Sequence, residues 1–263
     1  MKTLSHTQHA CLEAMGIDVW VSRNSSDLID DTEPVIQTEV VATESIQANE
    51  TKSVEIKPDI ESADEESTTV QPVKIPTDWN GLQQAVVSCQ LCDLSASRTT
   101  SIFGAGNQQA EWLIIGDAPS SEDDASGQIF TGAQGELLTA MLRAIGLNRQ
   151  QVYLSNIVKC MPANNADATT EQTEMCLNYL KQQIILIKPK IILVLGQHAA
   201  QRLLDSHSTL ARLRQKTHRL DGLDASIIVT YHPASLLSMP QNKRDAWHDL
   251  LFAQKTISAE TVL

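Results

Sequence analysis

Four cysteines stand in a pattern that could hold a metal. Cys89 and Cys92 form a C-x2-C pair, and Cys160 and Cys176 follow far downstream. Four thiolates suit zinc or an iron–sulfur cluster, with two near ligands and two distant ones stapling the entrance of a domain to its interior. One redox pair plus two buried thiols is the other reading of the same spacing. Cys11 lies apart as a spare thiol. A second constellation is Asp117, Asn156 and His232. A carboxylate can act as a base or steady a cation, an amide can read a planar donor/acceptor edge, and a histidine can stabilise a developing oxyanion. Taken singly, each is equally a turn aspartate, a satisfied amide or a capping histidine.

Their placement on secondary structure separates these readings. Apolar runs predict strands at Trp112–Gly116, Val152–Val158, Ile191–Leu195 and Ser226–Thr230. Helical periodicity predicts helices at Gly135–Ile145, Glu171–Ile187, Gln197–Leu204 and Lys243–Lys255. Strands and helices that alternate in this way imply an α/β domain: three α/β/α layers around a central, mostly parallel sheet. Ligands bind outside the carboxyl ends of such strands. Asp117 follows the first strand, Asn156 lies on the second, and His232 follows the fourth. Three chemical groups at three strand ends point to one crevice.

The chain has 263 residues and a formal net charge of −12. The charge is uneven. Residues 1–80 hold 16 acidic and 5 basic side chains, against 16 and 15 in residues 81–263. The acidity therefore says little about what the folded part binds, and it does not exclude nucleic acid. Residues 24–78 contain neither aromatic residues nor glycine and carry 14 acidic side chains, which predicts a disordered linker. Residues 1–23 form a short helical peptide able to bind a partner, residues 79–256 the domain, and residues 257–263 a tail. There is no apolar run long enough for a membrane helix, nor a secretory leader, so a cytoplasmic monomer is expected. A serine-hydrolase elbow, a Walker loop and a zinc-deaminase motif are all missing, and Gly104-Ala105-Gly106 is half of a dinucleotide fingerprint placed before its strand.

Residues 86–252 resemble the family 4, iron–sulfur uracil-DNA glycosylases. The four cysteines match that family's cluster ligands in order. Gly116-Asp117-Ala118-Pro119-Ser120 is similar to its Gly-Glu-Ala-Pro-Gly motif, and Phe130 to Gly135 to its Phe-Val-Gly-x-Ala-Gly loop. Tyr153 to Cys160 is similar to Tyr-Ile-Thr-Asn-Val-Val-Lys-Cys, and Thr230 to Pro233 to its His-Pro motif. The resemblance implies excision of uracil from DNA in base excision repair, with Cys89, Cys92, Cys160 and Cys176 on a 4Fe–4S cluster and zinc as the alternative. It further implies that Phe130 stacks on the flipped base, Asn156 reads its edge and His232 stabilises the departing anion. Asp117 would take the family carboxylate's place near the sugar, and Ala118 would line the uracil pocket. Leu236 and Leu237 would wedge the vacated stack, and Arg212, Arg214, Lys216, His218 and Arg219 would grip phosphates.

The chain departs from that family at several positions. Asp117 is one methylene shorter than glutamate, Ser120 replaces a glycine, Ile129 stands where proline is common, and Gln215 where glycine follows arginine. The stretch from Met161 to Asn165 lacks the arginine that usually follows. Met15 to Arg23 resembles the N-terminal peptide of the psi subunit of bacterial DNA polymerase III, which implies a chi subunit as partner for residues 10–23. The alternative function is thus a weakly active or non-catalytic psi-like subunit of the clamp-loader complex in DNA replication. An α/β nucleotide-binding protein is a third reading.

Overall fold

The computed structural model describes residues 75–163 and 167–260. The peptide at residues 10–23, on which the expected chi subunit contact rests, and the linker as far as residue 74 lie outside the described residues. The last four residues assigned to the linker belong to the domain. Ile75 packs against the core, and Asp78 caps the first helix, its Oδ1 accepting from the Gly81 N–H at 2.8 Å.

Five strands form one sheet: β1 (Ala105–Gly106), β2 (Trp112–Gly116), β3 (Val152–Asn156), β4 (Ile191–Leu195) and β5 (Ser226–Thr230), in the order β1-β3-β2-β4-β5. β1 runs antiparallel to β3, and the other pairs are parallel. Every residue of β2 to β5 is buried, which is why these strands read as unbroken apolar runs. The predicted second strand stops at Asn156, because past it the chain turns to bring Cys160 and the Lys159 side chain inward.

The helices described are α1 (Trp79–Val87), α2 (Leu94–Ser97), α3 (Ser121–Ser126), α4 (Gly132–Ala144), α5 (Thr170–Ile187), α6 (Gln197–Leu203), α7 (Leu210–Leu213), α8 (Pro233–Ser238) and α9 (Lys243–Glu260). One apolar layer joins α1, α5 and α6 to one face of the sheet, and the other joins α4 and α9 to the opposite face. α5 starts at a capping box between Thr169 and Gln172. α9 runs past the predicted end at Lys255. Ile257 is buried in the second layer, so the tail read at residues 257–263 begins inside the last helix.

β2 lies at the centre, with β3 on one side and β4 on the other. The chain therefore reverses direction of winding beside β2, and the carboxyl ends of the strands open there into a crevice. In register, Gly116 lies opposite Asn156, and Leu195 opposite Thr230.

Candidate active site and cysteine centre

Asn156 closes β3 and is 1% exposed. Its Oδ1 is buried and has no hydrogen-bond partner, alone in this among buried side-chain polar atoms of the described residues. Such an acceptor costs about 1–3 kcal/mol when left dry and unmatched. An acceptor left over in this way suits a ligand donor. Gly116 lies directly beneath. A Cβ there would sit 2.5 Å from Asn156 Oδ1 and 2.7 Å from the Phe130 Cζ, so only glycine lets the ring and the amide share this floor.

Phe130 is buried and holds φ at +52°, a conformation uncommon for a residue with a Cβ. Its carbonyl presses on Gly135, where a Cβ would clash with it. The turn is fastened from both sides. Asp123, buried at the start of α3, accepts from the Thr131 N–H at 2.7 Å and the Thr131 hydroxyl at 2.6 Å. Arg149 donates to the Ile129 carbonyl at 2.6 Å and the Phe130 carbonyl at 3.1 Å. Ser120, which replaces the expected glycine, caps α3 in a reciprocal box with Asp123.

His232 opens α8. Its Nδ1 accepts from the Ala234 N–H at 3.2 Å, which leaves the proton of the neutral ring on Nε2. Burial pushes its pKa down to about 4, against a small opposing pull from Asp123. The imidazole is therefore neutral near pH 7 and donates through Nε2. Its ring centre lies 6.1 Å from that of Phe130, tilted by 36°. Gly196, at φ +93°, gives the β4 end room beside the His232 Cβ.

Asp117, Ala118, Gly196 and His232 line a crevice of about 420 Å³; Asn156 and Phe130 are not part of that lining and meet each other at Gly116. The Asp117 carboxylate lies 3.7 Å from His198 Nδ1, which is also 3.1 Å from Asp167. Burial raises the Asp117 pKa; His198 opposes this and Asp167 adds to it. His198 and Asp167 were not expected from the sequence; only their distance to Asp117 across the fold reveals them. A larger groove of about 980 Å³ lies between α5, α6 and the loop at residues 205–223, but it contains none of the strand-end residues.

Other expectations from the sequence change. Leu236 is in the core, at 1% exposure, and cannot act as a wedge; Leu237 is 44% exposed at the same helix. Arg214 does not face outward. It donates to Asp249 through Nε at 2.6 Å, and its guanidinium lies 4.5 Å over the Tyr231 ring. Charge alone could not tell a phosphate contact from a bond to an aspartate 35 residues further on. Asp249 is fully buried and also accepts from Thr230 at 2.9 Å and Gln215 at 2.6 Å, so the network anchors the strand that leads to His232. Gln215, in a glycine's place, holds φ at +56°.

Cys89, Cys92, Cys160 and Cys176 are free thiols lining one small cavity together with Arg98, Lys159 and Tyr179. Donors converge on the sulfurs: Arg98 to Cys160 Sγ at 2.8 Å and the Lys159 N–H to Cys176 Sγ at 3.2 Å. Burial pushes the Cys176 thiol up to about 12, so without a metal it stays protonated. Lys159 is 1% exposed and donates to the Asn156 carbonyl at 2.8 Å, Ser155 at 2.6 Å and Gln183 at 2.7 Å. It joins the cysteine cavity to the end of β3. No helix among the described residues is long and apolar enough to cross a membrane.

A model of the Uracil DNA glycosylase superfamily matches residues 103–251. A Type-4 uracil-DNA glycosylase from Archaeoglobus fulgidus is 39% identical, over 61% of this chain and 83% of the relative. One from Pyrobaculum aerophilum is 34% identical over 66% and 91%, and one from Thermotoga maritima 33% identical over 68% and 94%. These alignments span most of each relative, and the superfamily match starts just before β1 and ends inside α9, with Asp117, Phe130, Asn156 and His232 all inside it. The chain belongs to the uracil-DNA glycosylase superfamily, and within it to the Type-4 uracil-DNA glycosylases.

Proposed function

We propose that this domain removes uracil from DNA by hydrolysing the N-glycosidic bond, with Phe130, Asn156 and His232 forming the base pocket. The observation that carries the assignment of residues is the buried, unpaired Asn156 Oδ1 beside the Phe130 ring. Uracil offers a donor at N3–H and an acceptor at O4, so an amide oxygen accepts from the first while the amide nitrogen donates to the second. Cytosine has a lone pair at N3 and an amino group at position 4, which leaves that oxygen facing electron density. A site built to meet a donor rejects the analogue that lacks it. Phe130 supplies the face on which a flipped base stacks.

Cleavage leaves negative charge on the base and positive charge on the sugar. His232 donates from Nε2 to the uracil O2 as that charge grows, and its neutral state means that no proton has to be given up first. Asp117 faces the crevice from the end of β2, where a carboxylate steadies the sugar cation or orients the attacking water.

The cysteine cavity supports a structural 4Fe–4S cluster held by Cys89, Cys92, Cys160 and Cys176. When bound, the cluster supplies four metal–thiolate links that tie α1 and α2 to the chain after β3. Four thiolates around one small cavity also suit a single tetrahedral zinc ion, which stays the alternative. A chi-like partner for residues 10–23 rests on the peptide motif Met15 to Arg23.

The test measures uracil release from uracil-containing DNA, with iron, sulfide and zinc determined on anaerobically purified protein. Release that depends on His232, from brown protein carrying iron and sulfide, is expected. Release no faster than that of His232→Ala at equal metal loading would overturn the activity. Stoichiometric zinc in colourless protein would overturn the cluster.

A further inference from the structure

The geometry points to Arg149 as a positioning residue for uracil stacking: it holds Phe130 in the left-handed conformation that presents its ring to the base. The inference rests on the reading of Phe130 as the stacking platform.

Arg149 lies in the turn before β3, outside every motif read from the sequence. None of its hydrogen bonds goes to a carboxylate. Its guanidinium donates to two consecutive main-chain carbonyls, Ile129 at 2.6 Å and Phe130 at 3.1 Å, and more weakly to the Thr139 hydroxyl at 3.4 Å. A planar fork fixes the spacing and direction of two adjacent carbonyls, which a lysine point charge cannot do. Those carbonyls flank the residue whose φ is +52°. Non-glycine residues adopt that region at a cost and stay there when their surroundings over-determine it. Asp123 fixes the following N–H, Gly135 leaves room for the Phe130 carbonyl where a Cβ would clash, and Gly116 opens the floor. Arg149 supplies the remaining constraint, on the residue itself and the one before it. Free of the fork, the turn can relax toward negative φ, and the ring swings away from Asn156.

The stack is present in both bound substrate and transition state, so its loss is read mainly in KM. Arg149→Met should raise KM for uracil-containing DNA about 10-fold, the scale of a partly lost base stack, with kcat changed less than about 3-fold. Arg149→Lys should fall between wild type and Arg149→Met. The deciding measurement is the double-mutant cycle with Phe130→Ala. If Arg149 acts through the ring, Arg149→Met adds little to KM in the Phe130→Ala background. An equal increase in both backgrounds would overturn the inference and leave the platform intact. A Phe130→Ala protein with unchanged KM would instead overturn the platform reading itself. Should Arg149→Met fail to fold, the same cycle run with Arg149→Lys gives the same decision.

Discussion

Gly116→Ala places one methyl group where the pocket has no room for it. The added carbon would sit 2.5 Å from Asn156 Oδ1 and 2.7 Å from Phe130 Cζ. Unstrained contacts lie at about 3.5–4.0 Å, so close to 1 Å must be relieved in two directions. Neither neighbour gives way easily. Asn156 is part of β3 and is bonded through its carbonyl to Lys159, and Phe130 is held by Arg149 at 3.1 Å. Overpacking of this kind costs about 1–3 kcal/mol. Here the strain falls on the base reader and the stacking ring together, so kcat/KM for uracil release should drop by about 5- to 150-fold. The backbone itself does not resist, because Gly116 is not in the left-handed region. Steady-state uracil release from an oligonucleotide, with thermal unfolding measured in parallel, reads both effects. An alanine variant that folds and keeps kcat/KM within about threefold of wild type would refute the picture of a shared, rigid floor.

His232→Ala should slow base release by about 10²–10³, the usual cost of one oxyanion donor, in single-turnover assays. The pKa near 4 sets a pH signature as well. An unfolded histidine takes up its proton near pH 6.5, so stability from the neutral ring is present above that and is lost as pH falls toward 4. Wild-type melting temperature should therefore drop faster than that of His232→Gln across this window. Asn156→Asp should shift selectivity from uracil toward cytosine, since a carboxylate repels uracil O4 and accepts from the cytosine amino group; competition assays on paired oligonucleotides measure it. Asp249→Ala leaves Arg214 with Asp245 and Tyr231 as partners but strips the Thr230 hydroxyl of its acceptor, and should cost about 1–3 kcal/mol in denaturant unfolding.

The parts legible in the sequence are those whose signal is local. β2 to β5 are buried on both faces, so their apolar runs are visible residue by residue. The strand-end positions of Asp117, Asn156 and His232 follow, because topology fixes which ends of parallel strands lie side by side. β1 escapes such a reading: it is two exposed residues, Ala105 and Gly106, paired only with β3, and nothing in two residues has a period. Arg149 escapes it because it recognises main chain, which leaves no imprint on the side chains of its partners. Arg214 reads as a phosphate contact because its partner Asp249 comes from a helix far along the chain. Lys159 stands within a family-like motif, but only the packing of Ser155, Gln183 and the Asn156 carbonyl around it shows a lysine amine enclosed by neutral acceptors.

The order of the strands has a consequence for how the protein matures during synthesis. The sheet is completed by β5, which is held on one side by β4 alone, and His232 follows it directly. All four cavity cysteines come earlier, the last of them on α5 before β4 is made. Domains emerge from the ribosome amino end first. The four cysteines proposed to hold the cluster, and Asn156 with them, are therefore all present on a nascent chain that still lacks His232. The pocket closes only when the final strand and α9 dock, with Asp249 locking Thr230 in place. A chain stalled before that point has all four proposed cluster ligands but lacks the histidine proposed to assist uracil release.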